Sequence, residues 1–176
     1  IQKTVGFTRS ASFERLIDLG KSRICRAMDF GTTTMECKSG YGLSVESELK
    51  LLKACNVLAT NTPMTIHSTW LGAHDVPKGQ QIDDYVESLI TKQLPAVADQ
   101  GFANYSDVFC EPGWFSIEQT EEIVKAAKSY GILSRLHVDE FVDSNGLQLA
   151  SDLGAVSGDH VGHSSDQARH SASISG

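Results

Sequence analysis

The stretch DVFCEPGWFSIEQTEEIVKAAKSYGILSRLHV, residues 107–138, decides the fold. Asp107 to Cys110 is a short run of strand character. Ser116 and Gln119 then form a capping box, which opens a helix that turns Ile117, Val124 and Ala127 inward and stops at Gly131. Leu133 to Val138 reads as a second strand. A helix between two strands is the crossover that parallel strands require, because the chain must return to the same end of the sheet before it can pair again.

The same alternation extends in both directions. Upstream, Phe13, Leu16, Ile17, Ile24, Ala27 and Met28 share one helix face, with Ser10 or Ser12 as the cap and Gly31 past the end. A strand at Thr32–Lys38 follows. Ser44 precedes a second helix, with Glu46 and Glu48 in its first turn where the helix dipole favours them and Val45, Leu49 and Leu52 inward. Met64–Leu71 is the next strand. Ile82, Tyr85, Val86, Leu89, Ile90, Leu94 and Val97 mark an amphipathic helix, bent or ended near Pro95. Downstream, Asn145–Leu153 reads as a short helix and Ala155–His160 as a fifth strand, while residues 164–176, Ser-rich and without apolar period, read as a loop or frayed tail.

Five such units predict an α/β fold with a parallel sheet, either doubly wound or a (β/α) barrel. A complete barrel takes about 250 residues, so 176 residues could hold only part of one. No apolar run exceeds three residues, and the first ten lack the apolar centre of a signal peptide, so the chain is expected to be soluble and not secreted. With 15 basic against 22 acidic residues and no basic cluster, nucleic acid and membrane are not expected partners. Four widely spaced cysteines without CxxC suit reduced thiols in a cytoplasmic protein.

Chemistry-bearing residues collect after the strands: Lys38, Ser39 and Tyr41; His74 and Asp75; Glu111; His137, Asp139 and Glu140; Asp159, His160 and His163. In parallel α/β folds the site lies at the carboxyl ends of the strands, so these groups are expected to converge on one face. His137, Asp139 and Glu140 form H-x-D-E, an imidazole ligand beside a carboxylate acid or base, though the triplet alone reads more readily as an ordinary ion cluster at a strand end. Asp159 beside His160 suggests a carboxylate-oriented imidazole, His67 a structural histidine within a strand, and His163 and His170 solvated loop residues. The glycine-flanked Ser39-Gly40-Tyr41-Gly42 is either a ligand-presenting turn or a tight connection. Phosphate-loop, dinucleotide and serine-elbow motifs are absent.

The segments TTTMECKSGYGLSVESELKLL (32–52), TWLGAHDVPKG (69–79), QLPAVADQG (93–101), DVFCEPGWFSIEQTEEI (107–123), LHVDEF (136–141) and SGDHVGH (157–163) together resemble the imidazolonepropionases of the amidohydrolase superfamily. The resemblance runs from about Thr8 to His163, with KSGYG followed by LGAH as its specific signature. It implies a metal-dependent amidohydrolase fold, with residues 1–163 as about strands two to six of a (β/α)8 TIM-type barrel. It also implies hydrolysis of 4-imidazolone-5-propanoate to N-formimidoyl-L-glutamate in histidine degradation, by a protein that is usually a homodimer. Carried over by motif, Tyr41 and His74 would bind substrate and His137 would ligate one zinc or iron ion. Glu140 would contact substrate and the attacking water, and His160 would assist proton transfer.

Val138 and Gly158 stand where the family usually has alanine. The family's H-x-H pair, its substrate-carboxylate Arg and its last-strand Asp have no counterpart among these 176 residues. A catalytic zinc typically needs three protein ligands, so the chain alone is expected to bind metal weakly and to be inactive, as an internal piece of a longer enzyme. Two alternatives stand beside this reading: a mononuclear amidohydrolase acting on another cyclic amide or amidine, and a truncated, non-catalytic domain.

Overall fold

A computed structural model describes residues 1–175. Two helices, α1 (Gln2–Ser10) and α2 (Phe13–Asp29), precede a regular alternation: β1 (Thr34–Lys38), α3 (Val45–Asn61), β2 (Thr65–Ala73), α4 (Ile82–Ser88), α5 (Leu94–Gln100), β3 (Tyr105–Cys110), α6 (Ile117–Ser129), β4 (Leu133–Val138), α7 (Gly146–Leu153), β5 (Ser157–His160) and α8 (Asp166–Ser175). All four strand pairings are parallel and follow chain order, β1-β2-β3-β4-β5, and the sheet curls into a half-barrel. This is a partial TIM-type barrel, with strands in the sequential order that closed barrels use.

The caps explain where the helices begin. Ser12 accepts a hydrogen bond from the Arg15 amide, and Ser44 from that of Ser47. Ser116 and Gln119 complete the reciprocal capping box of α6. Between α4 and α5 the helix widens into a π turn at Leu89–Gln93, where the Leu94 amide reaches back five residues to the Leu89 carbonyl. Pro95 sits in the first turn of α5, where its missing N–H costs least, so the chain shifts its hydrogen-bond register without breaking the helix.

The two sheet faces differ in kind. On the outer face Trp70, Val108, Leu136 and Val138 are fully or almost fully buried beneath the helices, together with Leu52, Leu89, Leu94, Phe115 and Ile123. On the inner face the paired registers set Glu36 and Lys38 beside His67 and Thr69, and Asp107 and Phe109 beside Arg135 and His137, with Ser157 and Asp159 last. Strand alternation sends successive side chains to opposite sides, so the apolar core is sheet against helices while the concave side is charged.

The reading of the C-terminal segment needs correction. Residues 166–175 are helix, not loop: Ala168 is buried and Ala172 packs on the main core, so alanines supply the contact where a large apolar residue was the signal sought. His170 accordingly lies on a helix. The chain also begins with a helix, α1, fastened by Arg9 to the Gly42 and Leu43 carbonyls (2.6 and 3.0 Å) and by Gln2 to Asp75 and the Val76 carbonyl. Among the described residues no helix is long and apolar enough to cross a membrane, and the four cysteines are free thiols.

Candidate active site

Each strand delivers its last residues to one rim. After β1, the turn carrying Tyr41 is gripped from below by Glu48, a wholly buried carboxylate in the first turn of α3. It accepts the amides of Gly40 (2.8 Å), Gly42 (2.7 Å) and Leu43 (2.8 Å). Gly40 has a φ of +89°, and a Cβ there would lie 2.8 Å from the Leu71 carbonyl, so only glycine fits. The end of β2 is bent by a register shift between Trp70 and Ala73, and the Tyr85 hydroxyl donates to the Gly72 carbonyl at 2.8 Å, which fixes the approach to His74.

His74 donates its Nδ1–H to the Gly40 carbonyl at 3.0 Å and meets the Tyr41 ring edge-on at 5.0 Å between centroids. Burial pulls its imidazole below the ordinary histidine value, with the Gly40 acceptor opposing and nearby His137 reinforcing the effect. Phe109 stands 6.0 Å from both His74 and His137, and His137 is 5.2 Å from His160. His160 Nε2 is 3.5 Å from Glu140 Oε2. Tyr41, His74, His137, Glu140 and His160 therefore share one concave rim. Trp114 and Phe141, stacked at 5.8 Å, close the side next to Phe109.

Not every polar residue after a strand joins them. Asp139, in the left-handed region at φ 52°, turns away and organises the loop after β4. It accepts from the amides of Ser144, Gly146 and Leu147 and from the Ser164 hydroxyl. Burial pushes that carboxyl up, but the donors prevail and hold it below the usual range. Glu111 is buried and accepts the Glu140 amide at 2.6 Å, so it braces Glu140 from behind. His163 is on an exposed loop. Asp159 does not orient His160: it pairs with Lys38 at 2.9 Å and accepts from the Ser157 hydroxyl at 3.2 Å. His160 itself has a φ of +74°, and its imidazole pairs with Glu140.

Beneath the rim lies a charged layer with one member the sequence did not single out. Asp107, fully buried in β3, sits 2.6 Å from Lys38 Nζ and receives His137 Nδ1 at 2.9 and 3.0 Å on its two oxygens. Burial works against the Lys38 charge, but Asp107 and Asp159 hold its pKa above the ordinary lysine value. Asp107, His137 and Asp159 bring three donor atoms within 4.8 Å of one another, the spacing of a metal-binding group. A signal for Asp107 did exist in the sequence: a carboxylate directly before the apolar Val108–Cys110 run of a strand, on the same face as Phe109.

Comparison with known proteins now bears on the rim. The chain is 40% identical to an imidazolonepropionase of Alkaliphilus oremlandii over 163 residues, which is 92% of this chain and 39% of that protein. It is 43% identical to that of Symbiobacterium thermophilum over 171 residues (96% and 40%) and 38% identical to that of Haloarcula marismortui over 167 residues (95% and 40%). The chain is a relative of the imidazolonepropionases. It spans about two fifths of the length of these relatives, 39–40% in each case. No family model matches the chain.

The donor chemistry at His137 suits a metal. With Nδ1 engaged by a carboxylate, its other nitrogen is free to ligate, and the half-barrel rim is where such a ligand would stand. One imidazole is fewer than the three protein ligands typical of catalytic zinc.

Proposed function

We propose that the protein to which this chain belongs hydrolyses the cyclic amide of 4-imidazolone-5-propanoate, adding water across a ring carbon–nitrogen bond to give N-formimidoyl-L-glutamate, a step of histidine degradation. The observation that carries this reading is the 38–43% identity to imidazolonepropionases along almost the whole chain, coinciding with a single rim that gathers Tyr41, His74, His137, Glu140 and His160.

In this reading His137 is one ligand of a zinc or iron ion, whose chemistry when bound is to acidify water and polarise the amide carbonyl. Tyr41 and His74 hold the substrate. His74 suits that task as a neutral group: its Nδ1–H is engaged by the Gly40 carbonyl, so Nε2 is left as an acceptor for a substrate N–H. Glu140 and His160, 3.5 Å apart, form a carboxylate–imidazole pair able to take a proton from the attacking water and return it to the departing ring nitrogen. Phe109, Trp114 and Phe141 form an aromatic wall on the same rim as that pair. The same resemblance supports a cytoplasmic homodimer as the working form.

The test is to express the complete protein with zinc or iron and to follow loss of imidazolonepropionate and appearance of formimidoylglutamate. Activity is expected with metal and none after chelation, while the 176 residues alone are expected to be inactive. Turnover of a different cyclic amide in preference to imidazolonepropionate would overturn the substrate assignment, and turnover by the isolated chain would overturn the need for further ligands.

A further inference from the structure

We propose that Asp107 is a positioning residue for His137: the buried Asp107 carboxylate, paired with the half-buried Lys38, holds the imidazole with its proton on Nδ1, so that Nε2 is the nitrogen presented to a metal ion. What Nε2 then serves rests on the proposed hydrolase reading; the orientation does not.

An ionised carboxylate only accepts, so a ring nitrogen at 2.9 and 3.0 Å from the two Asp107 oxygens must bring the hydrogen. Asp107 has no exposed side-chain surface, and a buried charge persists only when paired. Lys38 supplies the pairing at 2.6 Å and is itself tethered to Asp159 at 2.9 Å and to Glu36 at 3.4 Å, so the ammonium cannot swing away. Lys38, Asp107 and His137 come from β1, β3 and β4, and the parallel registers put all three on the concave face. The relay thus runs across the sheet from a fixed cation through a fixed anion to one nitrogen of one imidazole.

The competing reading takes Asp107, His137 and Asp159 as ligands themselves, since their donors lie within 4.8 Å. Lys38 argues against it. Its ammonium lies within hydrogen-bond distance of both carboxylates, so a divalent cation there would have to displace it or share the pocket with a like charge. Asp107 therefore acts through His137 and does not touch the metal.

The test uses the complete protein. Two-bond nitrogen–proton correlation spectra of the metal-free protein labelled in histidine, at pH 8 with His137 assigned by substitution, are expected to show the Nδ1-protonated tautomer. D107N is expected to lose that preference and to weaken zinc binding, measured by competition with a chromophoric chelator, by roughly 10–100-fold. K38M is expected to weaken zinc as well, because Asp107 loses its counter-charge. A Nε2-protonated His137, zinc binding by D107N within twofold of the unmodified protein, or tighter zinc binding by K38M would each overturn the proposal; the last would mark the carboxylates as ligands. Should D107N fail to fold, the tautomer in the unmodified protein still decides. An expected tautomer and zinc affinity in a protein that leaves imidazolonepropionate intact would remove the hydrolase reading and leave the positioning role standing.

Discussion

Replacing Glu48 by Gln should loosen the turn that carries Tyr41, and the structure sets the size of the effect. One carboxylate oxygen serves Gly42 and Leu43, the other Gly40, at 2.7–2.8 Å and in full burial. A glutamine oxygen can keep the first pair, but its amide nitrogen then faces the Gly40 N–H, donor against donor. Stranding one buried donor costs about 1–3 kcal/mol, and the two retained bonds lose their charge assistance. The sum is about 3 kcal/mol. With a urea m-value of about 2 kcal/mol/M, the unfolding midpoint should fall by about 1.5 M at unchanged slope. Fluorescence of Trp70 and Trp114 reports the transition. A midpoint within about 0.3 M of the parent would refute the claim that this carboxylate holds the loop. G42A probes the same contact from the other side, since its Cβ would lie 2.6 Å from that of Ser47 and 2.8 Å from Glu48 Oε1.

Four further outcomes are expected. S116A removes one half of the capping box and should cost about 1 kcal/mol in a denaturant titration. L136A empties a fully buried site between sheet and helices and should cost about 2–5 kcal/mol by the same measurement. Asp139 has a depressed folded-state pKa, so its contribution to stability is complete above about pH 4 and drains as pH falls through the folded value; D139N should flatten that acid limb when stability is mapped against pH. His74, lowered by burial, should show a proton-NMR titration midpoint below about 6.5, and a midpoint above it would contradict the neutral role assigned to the ring.

How much was legible beforehand varies with the kind of force at work. Leu133–Val138 was read to the residue, because β-branched and leucine residues bounded by Gly131 leave a strand few alternatives. The second strand was read short: it runs on to Ala73 through Gly72, whose carbonyl accepts from Tyr85, a residue 13 positions away. Helix α8 was missed because alanine and serine carry little hydrophobic signal, yet Ala168 is buried. Glu48 was read as a dipole-complementing residue in a helix's first turn; its larger task, gripping the Tyr41 turn, depends on a fold-back that local pattern does not encode.

What the amino-acid sequence determined by itself was the alternation of parallel strands and helices and a set of strand-end polar groups, since periodicity, caps and strand-end placement are local properties; the five rim residues were picked from that set by the family resemblance. The tertiary structure decided which partners those residues take. It gave Asp159 to Lys38 and left His160 to Glu140, turned Asp139 and Glu111 away from the rim, and placed Asp107 under His137. The reason is that hydrogen bonds and ion pairs between strands depend on sheet register and curl, which bring together side chains as much as 121 positions apart, as in Lys38 and Asp159.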